Sequence, residues 1–312
     1  MLRLAFSEQS LEVQRNVVSE EFKQRYLNQP YGDVWLRLRP LAYQKHPYRW
    51  ATIGKELRHI EEATMEDVKA FFFTHYVPSN AVMVVAGDVN LEQVKELAKK
   101  WFEPIPARPK PERKLPREPK QLEARREEVY ADVPVNSIYI AFHGKARSDA
   151  DYPAMDLLSD ILSRGSSSRL YRSLVKEQAL FSEVNAYVTG SIDPDLIVIE
   201  GKPLPHIDMA QAESLLWQQL EQLKDEMVKE EELQKLKNKI ESTMVFAELS
   251  ILDRAMNLAY FEALGDASLY NEEVGRYLAV TPAHIQGVAQ EIFTVENSST
   301  LIYYAKEQEH AE

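Results

Sequence analysis

The sequence predicts an α/β (α+β) protein of two domains, with mixed or antiparallel sheets packed on helices, and three observations lead there. Apolar runs of strand length alternate with long amphipathic patterns of helical period. Six prolines fall between Pro104 and Pro119 among Arg, Lys and Glu, a composition that reads as an extended linker. The 312 residues, 45% of them apolar, are enough for about two domains with real cores. The expected division is a first domain over 1–103, a linker over 104–122 and a second domain over 123–312.

The first helix runs from Ser10, its expected N-cap, to Leu27, with Leu11, Val13, Val17, Val18, Phe22 and Tyr26 on its apolar side. Glu21 follows Val17 by four residues and Val18 by three, which puts a carboxylate at the margin of that face. Such a group must pair, hydrogen-bond or bind a metal if it is buried. The alternative is a solvated acidic pair, Glu20-Glu21, on the helix shoulder. Gln14 lies two turns earlier on the same side.

Asp33 is positioned to cap a second helix through Trp35, Leu36, Leu38, Leu41 and Ala42. His46-Pro47-Tyr48-Arg49 reads as a loop, because proline disfavours the helical region for the residue before it. Thr64 and Asp67 have capping-box spacing, opening a helix whose Val68, Phe71, Phe72 and Tyr76 are expected in a core. Ala81 to Ala86 has the length and composition of a strand. Gly87-Asp88 then turns the chain into a helix from Leu91 to Phe102, with Val94, Leu97, Ala98 and Trp101 inward.

Past the linker, strands are expected over Glu127–Ala131 and Ser137–Phe142, the second alternating Ile138, Ile140 and Phe142. A helix from Tyr152 to Leu162 precedes Arg164-Gly165-Ser166-Ser167-Ser168-Arg169. That turn lacks both a Lys-Ser/Thr pair and a preceding strand, so it is not a phosphate loop. Strands over Ser182–Val188 and Leu196–Lys202 form a hairpin around Ile192 to Asp195. Asp208 caps a helix to about Leu223. The charge-rich helix Lys229–Glu248 presents a solvated face. Helices over Ile251–Leu264, Tyr270–Leu278 and Pro282–Phe293 follow, the last capped by Thr281 with Pro282 in its first turn. Thr300–Ala305 closes the chain as a strand.

The net charge of −12 and pI near 5.2 argue against nucleic acid or an anionic membrane as partner. The absence of cysteine excludes disulfides and cysteine zinc sites. No run of eighteen apolar residues spans a membrane, and no basic-then-apolar signal opens the chain. Localisation stays open between cytoplasm and periplasm.

Val17-Val18-Ser19-Glu20-Glu21, then Gln29-Pro30-Tyr31-Gly32, His46-Pro47-Tyr48 and Ile53-Gly54-Lys55, resemble the pitrilysin/insulinase family of zinc peptidases, the inverzincins. The resemblance is to the small two-domain bacterial members related to the mitochondrial processing peptidase. It implies a site of two His and one Glu with a fourth position for water. Glu21 matches the third-ligand Glu, and Gln14 stands beside it where the family usually has an acid. The His-x-x-Glu-His motif of the family does not occur here. Its nearest spelling, His59-Ile60-Glu61-Glu62-Ala63, has Ala63 in place of the second His and falls after the Glu21 helix. His46, His59, His75 and His143 lack ligand spacing.

What the resemblance implies is therefore a family member without the front of its first domain. Zinc belongs to the intact member and is not expected to bind this chain tightly. The expected partners are a peptide substrate and a related subunit in a homo- or hetero-oligomer. The chain alone is expected to be inactive. A non-catalytic peptide-binding or scaffolding subunit, or a purely structural product of a truncated gene, are the alternatives. Non-catalytic partners in heterodimeric members carry an Arg and a Tyr seven residues apart. Val175 and Ser182 stand there instead, which is similar to the metal-bearing type.

Overall fold

The computed structural model describes residue 4 and residues 6–306. In chain order the helices are α1 Glu8–Phe22, α2 Val34–Ala42, α3 Leu57–Glu61, α4 Met65–His75, α5 Leu91–Phe102, α6 Tyr152–Ser163, α7 Met209–Asp225, α8 Glu230–Ala247, α9 Ile251–Leu264, α10 Leu269–Leu278 and α11 Pro282–Ile292. The strands are β1 Arg125–Ala131, β2 Ser137–His143, β3 Phe181–Val188, β4 Leu196–Pro203 and β5 Ser298–Ala305. Residues 106–122 form neither helix nor strand. Contacts gather the chain into two compact units. One takes Met1–Leu27, Thr52–Leu115 and Ser242–Glu273; the other takes Asn28–Ala51, Pro116–Glu241 and Val274–Glu312. A segment from the first third of the chain thus packs with the later residues, and a segment from the last third packs with the earlier ones.

The unit that contains Pro116–Glu241 is built on a five-stranded mixed sheet in the order β1-β5-β2-β4-β3. β1 runs parallel to β5, and the other neighbours are antiparallel, with Ile140 opposite both Ile199 and Thr300. Ile138, Ile140 and Phe142 alternate as the sequence predicts. Phe142 meets Trp217 of α7 and Phe293, just past α11, edge to face with centroids 5.5 and 5.1 Å apart. The residues between them, Tyr139 and Ala141, are buried as well. α2 covers the second face of the sheet, packing Val34, Leu38 and Ala42 onto Tyr139, Ala141, Val198, Leu301 and Tyr303. A strand covered on both faces loses the polar half of its alternation. Asp33 stands at the N-cap of α2 but gives its first turn no side-chain bond. Its carboxylate instead accepts from Arg37 Nε and from the Tyr303 hydroxyl at 2.6 Å, which ties α2 to β5.

The unit that contains Thr52–Leu115 is helical, and no strand occurs among its described residues. α1 starts three residues earlier than its periodicity suggests. Ser7, not Ser10, is the cap, because Ser7 and Ser10 bond each other reciprocally in a capping box. The Thr64–Asp67 box forms as its spacing requires. Leu11, Phe22 and Phe72 are buried, with Phe6 edge-on to Phe72 at 5.5 Å.

Several core expectations for this unit are corrected. Val13, Val17, Phe71, Tyr76, Leu97 and Trp101 are all exposed, and α5 has no buried residue although it spans the predicted Leu91–Phe102. Ala81 to Ala86 is not a strand, and Val82, Met83 and Val85 are exposed. An extended segment becomes a strand only when another backbone takes its N–H and C=O groups. Periodicity shows which side of a helix is apolar, not whether anything covers it.

Candidate functional site

Glu21 lies one residue from the end of α1, in the helical unit. Its side chain is 43% exposed, and Oε1 is 3.1 Å from Arg25 Nη2, itself 69% exposed, one turn further on. Glu20 pairs with Lys23 at 2.8 Å. Gln14 is exposed. Exposed pairs one turn apart contribute about 0.3–0.5 kcal/mol, so Arg25 holds Glu21 weakly. The arginine that fixes this helix is Arg15: Nε donates to the carbonyl of Ala63 at 2.9 Å, with Nη2 on the same oxygen. That oxygen belongs to the corner between α3 and α4, so Arg15 sets where α1 lies within its unit.

Among the described residues, no three His, Cys, Asp or Glu side chains are grouped so as to hold a metal ion. His59 and His75 are exposed and do not join Glu21 in such a group. One carboxylate with a cationic neighbour does not fit the two-His, one-Glu zinc set, and no chemical step follows from it here.

The most highly organised polar cluster lies in the other unit, at the C-terminal end of α2. His46 is 5% exposed. Its Nε2 is 3.1 Å from Asp193 Oδ2, while Nδ1 accepts the backbone N–H of Tyr48 at 3.2 Å. That second bond makes Nε2 the protonated nitrogen, so it donates to Asp193. The backbone N–H of Asp193 donates to the Tyr48 hydroxyl at 3.2 Å, and the Tyr43 hydroxyl donates to the Pro194 carbonyl at 3.2 Å. Burial, with the negative charge of Asp195 adding to it, pushes the Tyr43 hydroxyl far above the usual phenol range. The His143 ring stands edge-on to Tyr43 at 5.0 Å, and its Nε2 is 2.9 Å from the Ala42 carbonyl. Burial pushes the His143 imidazole down, toward its neutral form.

Both nitrogens of His46 are occupied by protein groups. The cluster therefore clamps the Asp193–Asp195 turn to the loop after α2, and it is not a nucleophile's base or a metal ligand. The sequence marks His46 only as a loop residue beside a proline. Its partner lies 147 positions away, and no local pattern connects the two.

The remaining singled-out residues take structural places. Arg169 of the serine-rich turn forks onto Glu232 of α8 at 3.1 and 2.8 Å. Val175 is half-buried, and Ser182 is exposed with its hydroxyl donating to the Lys202 carbonyl at 3.1 Å.

A mixed sheet covered by helices on both faces, beside a separate helical unit, is an α+β architecture. The profile of the peptidase M16 inactive domain matches residues 62–240, and the chain belongs to this pitrilysin/insulinase-type family. It is 30% identical over 293 residues to the zinc protease PqqE of Helicobacter pylori, covering 92% of this chain and 65% of that protein. It is 22% identical over 300 residues to the uncharacterized zinc protease YmxG of Bacillus subtilis, covering 95% of this chain and 71% of that one. Among solved structures, a protease from Helicobacter pylori superposes with a TM-score of 0.89 at 29% identity, over 97% of this chain and 73% of that one. A peptidase M16 inactive domain from Pseudomonas fluorescens superposes at 0.85 with 20% identity, over 97% and 72%, and shares the fold. The chain spans less than two thirds of the length of the Helicobacter PqqE protein. Among the described residues no helix is long and apolar enough to cross a membrane.

Proposed function

We propose that this chain is the part of a zinc-dependent endopeptidase of the pitrilysin/insulinase type that carries the third-ligand helix and the second domain. The two histidines and the general base come from polypeptide outside these 312 residues. The observation that carries the reading is the state of Glu21. It falls at the motif position of the third ligand, on a helix fixed by Arg15, with a partly exposed carboxylate that, among the described residues, is held by an exposed ion pair. An acid so held can exchange Arg25 for a metal at little cost. The open apolar side chains at Val82, Met83, Val85, Leu97 and Trp101 support the same reading, since they mark where further first-domain residues would pack. In sequence, the first domain takes 1–103, the linker 104–122 and the second domain 123–312.

The chain alone does not hydrolyse peptides, having neither histidines nor base at Glu21. Zinc content and peptide hydrolysis of the whole peptidase, with Glu21→Gln beside Glu20→Gln, test the assignment. Equal zinc in the two variants overturns it.

A second reading has one observation in its favour. The matched profile is that of an inactive domain, and its span of 62–240 leaves out Glu21. Under that reading the chain is a non-catalytic peptide-binding or scaffolding subunit paired with a related one. Glu21→Gln then changes neither the zinc content nor the activity of the assembly.

A further inference from the structure

Three consecutive backbone amides in the loop after α2 point at one carboxylate. The N–H of Gln44 donates to Glu118 Oε1 at 2.7 Å, and those of Lys45 and His46 donate to Oε2 at 2.8 Å each. The backbone past a helix end ordinarily leaves such donors to water or to nearby capping groups. Here the acceptor comes from 72 to 74 positions away, at the end of the proline-rich stretch. Burial raises the Glu118 carboxyl, but the amides of His46, Gln44 and Lys45 outweigh it, with the field of His143 adding, and hold the group below the usual carboxylate range.

Three residues further on, Gln121 is buried and pins the same strand of chain. Its Nε2 donates to the carbonyl of Ser298 at 2.7 Å, and its Oε1 accepts from the Ser299 hydroxyl at 3.3 Å. Between and beside these pins, Glu118 to Leu122 form one wall of a cavity of about 540 Å³. His143, Lys145 and Asn297 line the same cavity.

We propose that the amides of residues 44–46 are a carboxylate-binding site whose built-in ligand is Glu118, and that this contact latches the strap 118–122 over the cavity. The chemistry is that of an anion held by convergent N–H donors, as in other backbone anion sites. Release of Glu118 frees the strap ahead of Gln121 and loosens that part of the lining of the cavity it shares with His143 and Lys145. His46 keeps its ring bonds to Asp193 and Tyr48 in either state, so the loop stays shaped to receive a carboxylate when Glu118 leaves.

Chemical rescue tests this on the full chain. Amide hydrogen exchange is followed at residues 44–46 and along 118–122 in the wild type, Glu118→Ala and Glu118→Gln. Loss of the carboxylate is expected to speed exchange at residues 44–46 by about tenfold or more, with the sheet strands unchanged. Sodium acetate added to Glu118→Ala is expected to slow exchange at 44–46 again, whereas sodium chloride at the same ionic strength is not. Lys120, in the stretch that Glu118 no longer holds, stays fast in that experiment, because acetate is not joined to the strap. Should Glu118→Ala loosen the whole sheet, Glu118→Gln carries the comparison, since it keeps the side-chain volume and removes the charge. Unchanged protection of residues 44–46 in both variants overturns the proposal, and so does equal slowing by acetate and chloride.

Discussion

The buried His46 Nε2 lies 3.1 Å from Oδ2 of the partly exposed Asp193, joining the loop after α2 to the turn between β3 and β4. The pair holds α2 against the sheet from its far end, as Asp33 and Tyr303 hold it from the near end at 2.6 Å. His46→Ala removes the acceptor of the Tyr48 N–H and the donor to Asp193 together. A backbone N–H that loses its acceptor inside the fold costs about 1–3 kcal/mol, and the Tyr48 N–H is the group so affected. A urea midpoint lowered by a comparable amount is expected. A midpoint equal to that of the wild type would show that the clamp adds nothing to stability.

Glu21 and Glu20 are sequence neighbours with different expected roles. In the whole peptidase, Glu21→Gln is expected to lose bound zinc and peptide hydrolysis. Glu20→Gln should keep both and alter stability by about 0.5 kcal/mol or less, as exposed substitutions do. Gln14→Glu, which adds an acid two turns before Glu21, is expected to hold zinc at least as well as the wild type. Metal analysis of the three purified variants reads all of this directly.

The helical unit and the sheet unit should answer alanine substitution differently. Leu157 on α6 has no exposed surface, and Leu157→Ala is expected to cost about 2–5 kcal/mol through lost contacts and the cavity left behind. Leu97 on α5 is more than half exposed, so Leu97→Ala in this chain should stay within about 0.5 kcal/mol. Equal losses at the two sites, measured by urea unfolding, would mean that α5 is covered in solution.

Asp160, on α6, gives the sheet unit a pH dependence of defined sign. Burial is the main cause that lifts its carboxyl to about 6, against the pull of Arg164 and with Asp156 adding to the rise. In the unfolded chain the same group titrates near about 3.9. The folded state therefore holds more protons between these values, and this group's contribution to stability falls as pH rises from about 4 to about 6. Above that window the cost is constant. Asp160→Asn should flatten this part of the profile, seen as urea midpoints that no longer decline across the window. A decline of the same size in Asp160→Asn would assign it to other groups.

Much of the local structure was legible in the sequence because its causes are local. Thr64 and Asp67 cap α4 across three residues, Thr281 caps α11, and α5 spans the predicted Leu91–Phe102. The five strands of the sheet were each expected within a few residues of where they occur, since alternation and turn residues are written into short stretches. Glu21 was singled out by its place on a helix margin and by the motif around it. Tertiary structure alone decided what those elements meet. Ala81 to Ala86 has a strand's composition and does not form one. Asp33 gives up its cap for Tyr303, 270 positions away. The clamp of His46 on Asp193 and the hold of residues 44–46 on Glu118 join stretches about 70 to 150 positions apart. Caps and periodicities are settled by neighbours within a turn or two. Burial and long-range hydrogen bonds depend on which distant surface arrives, and only the folded chain supplies that.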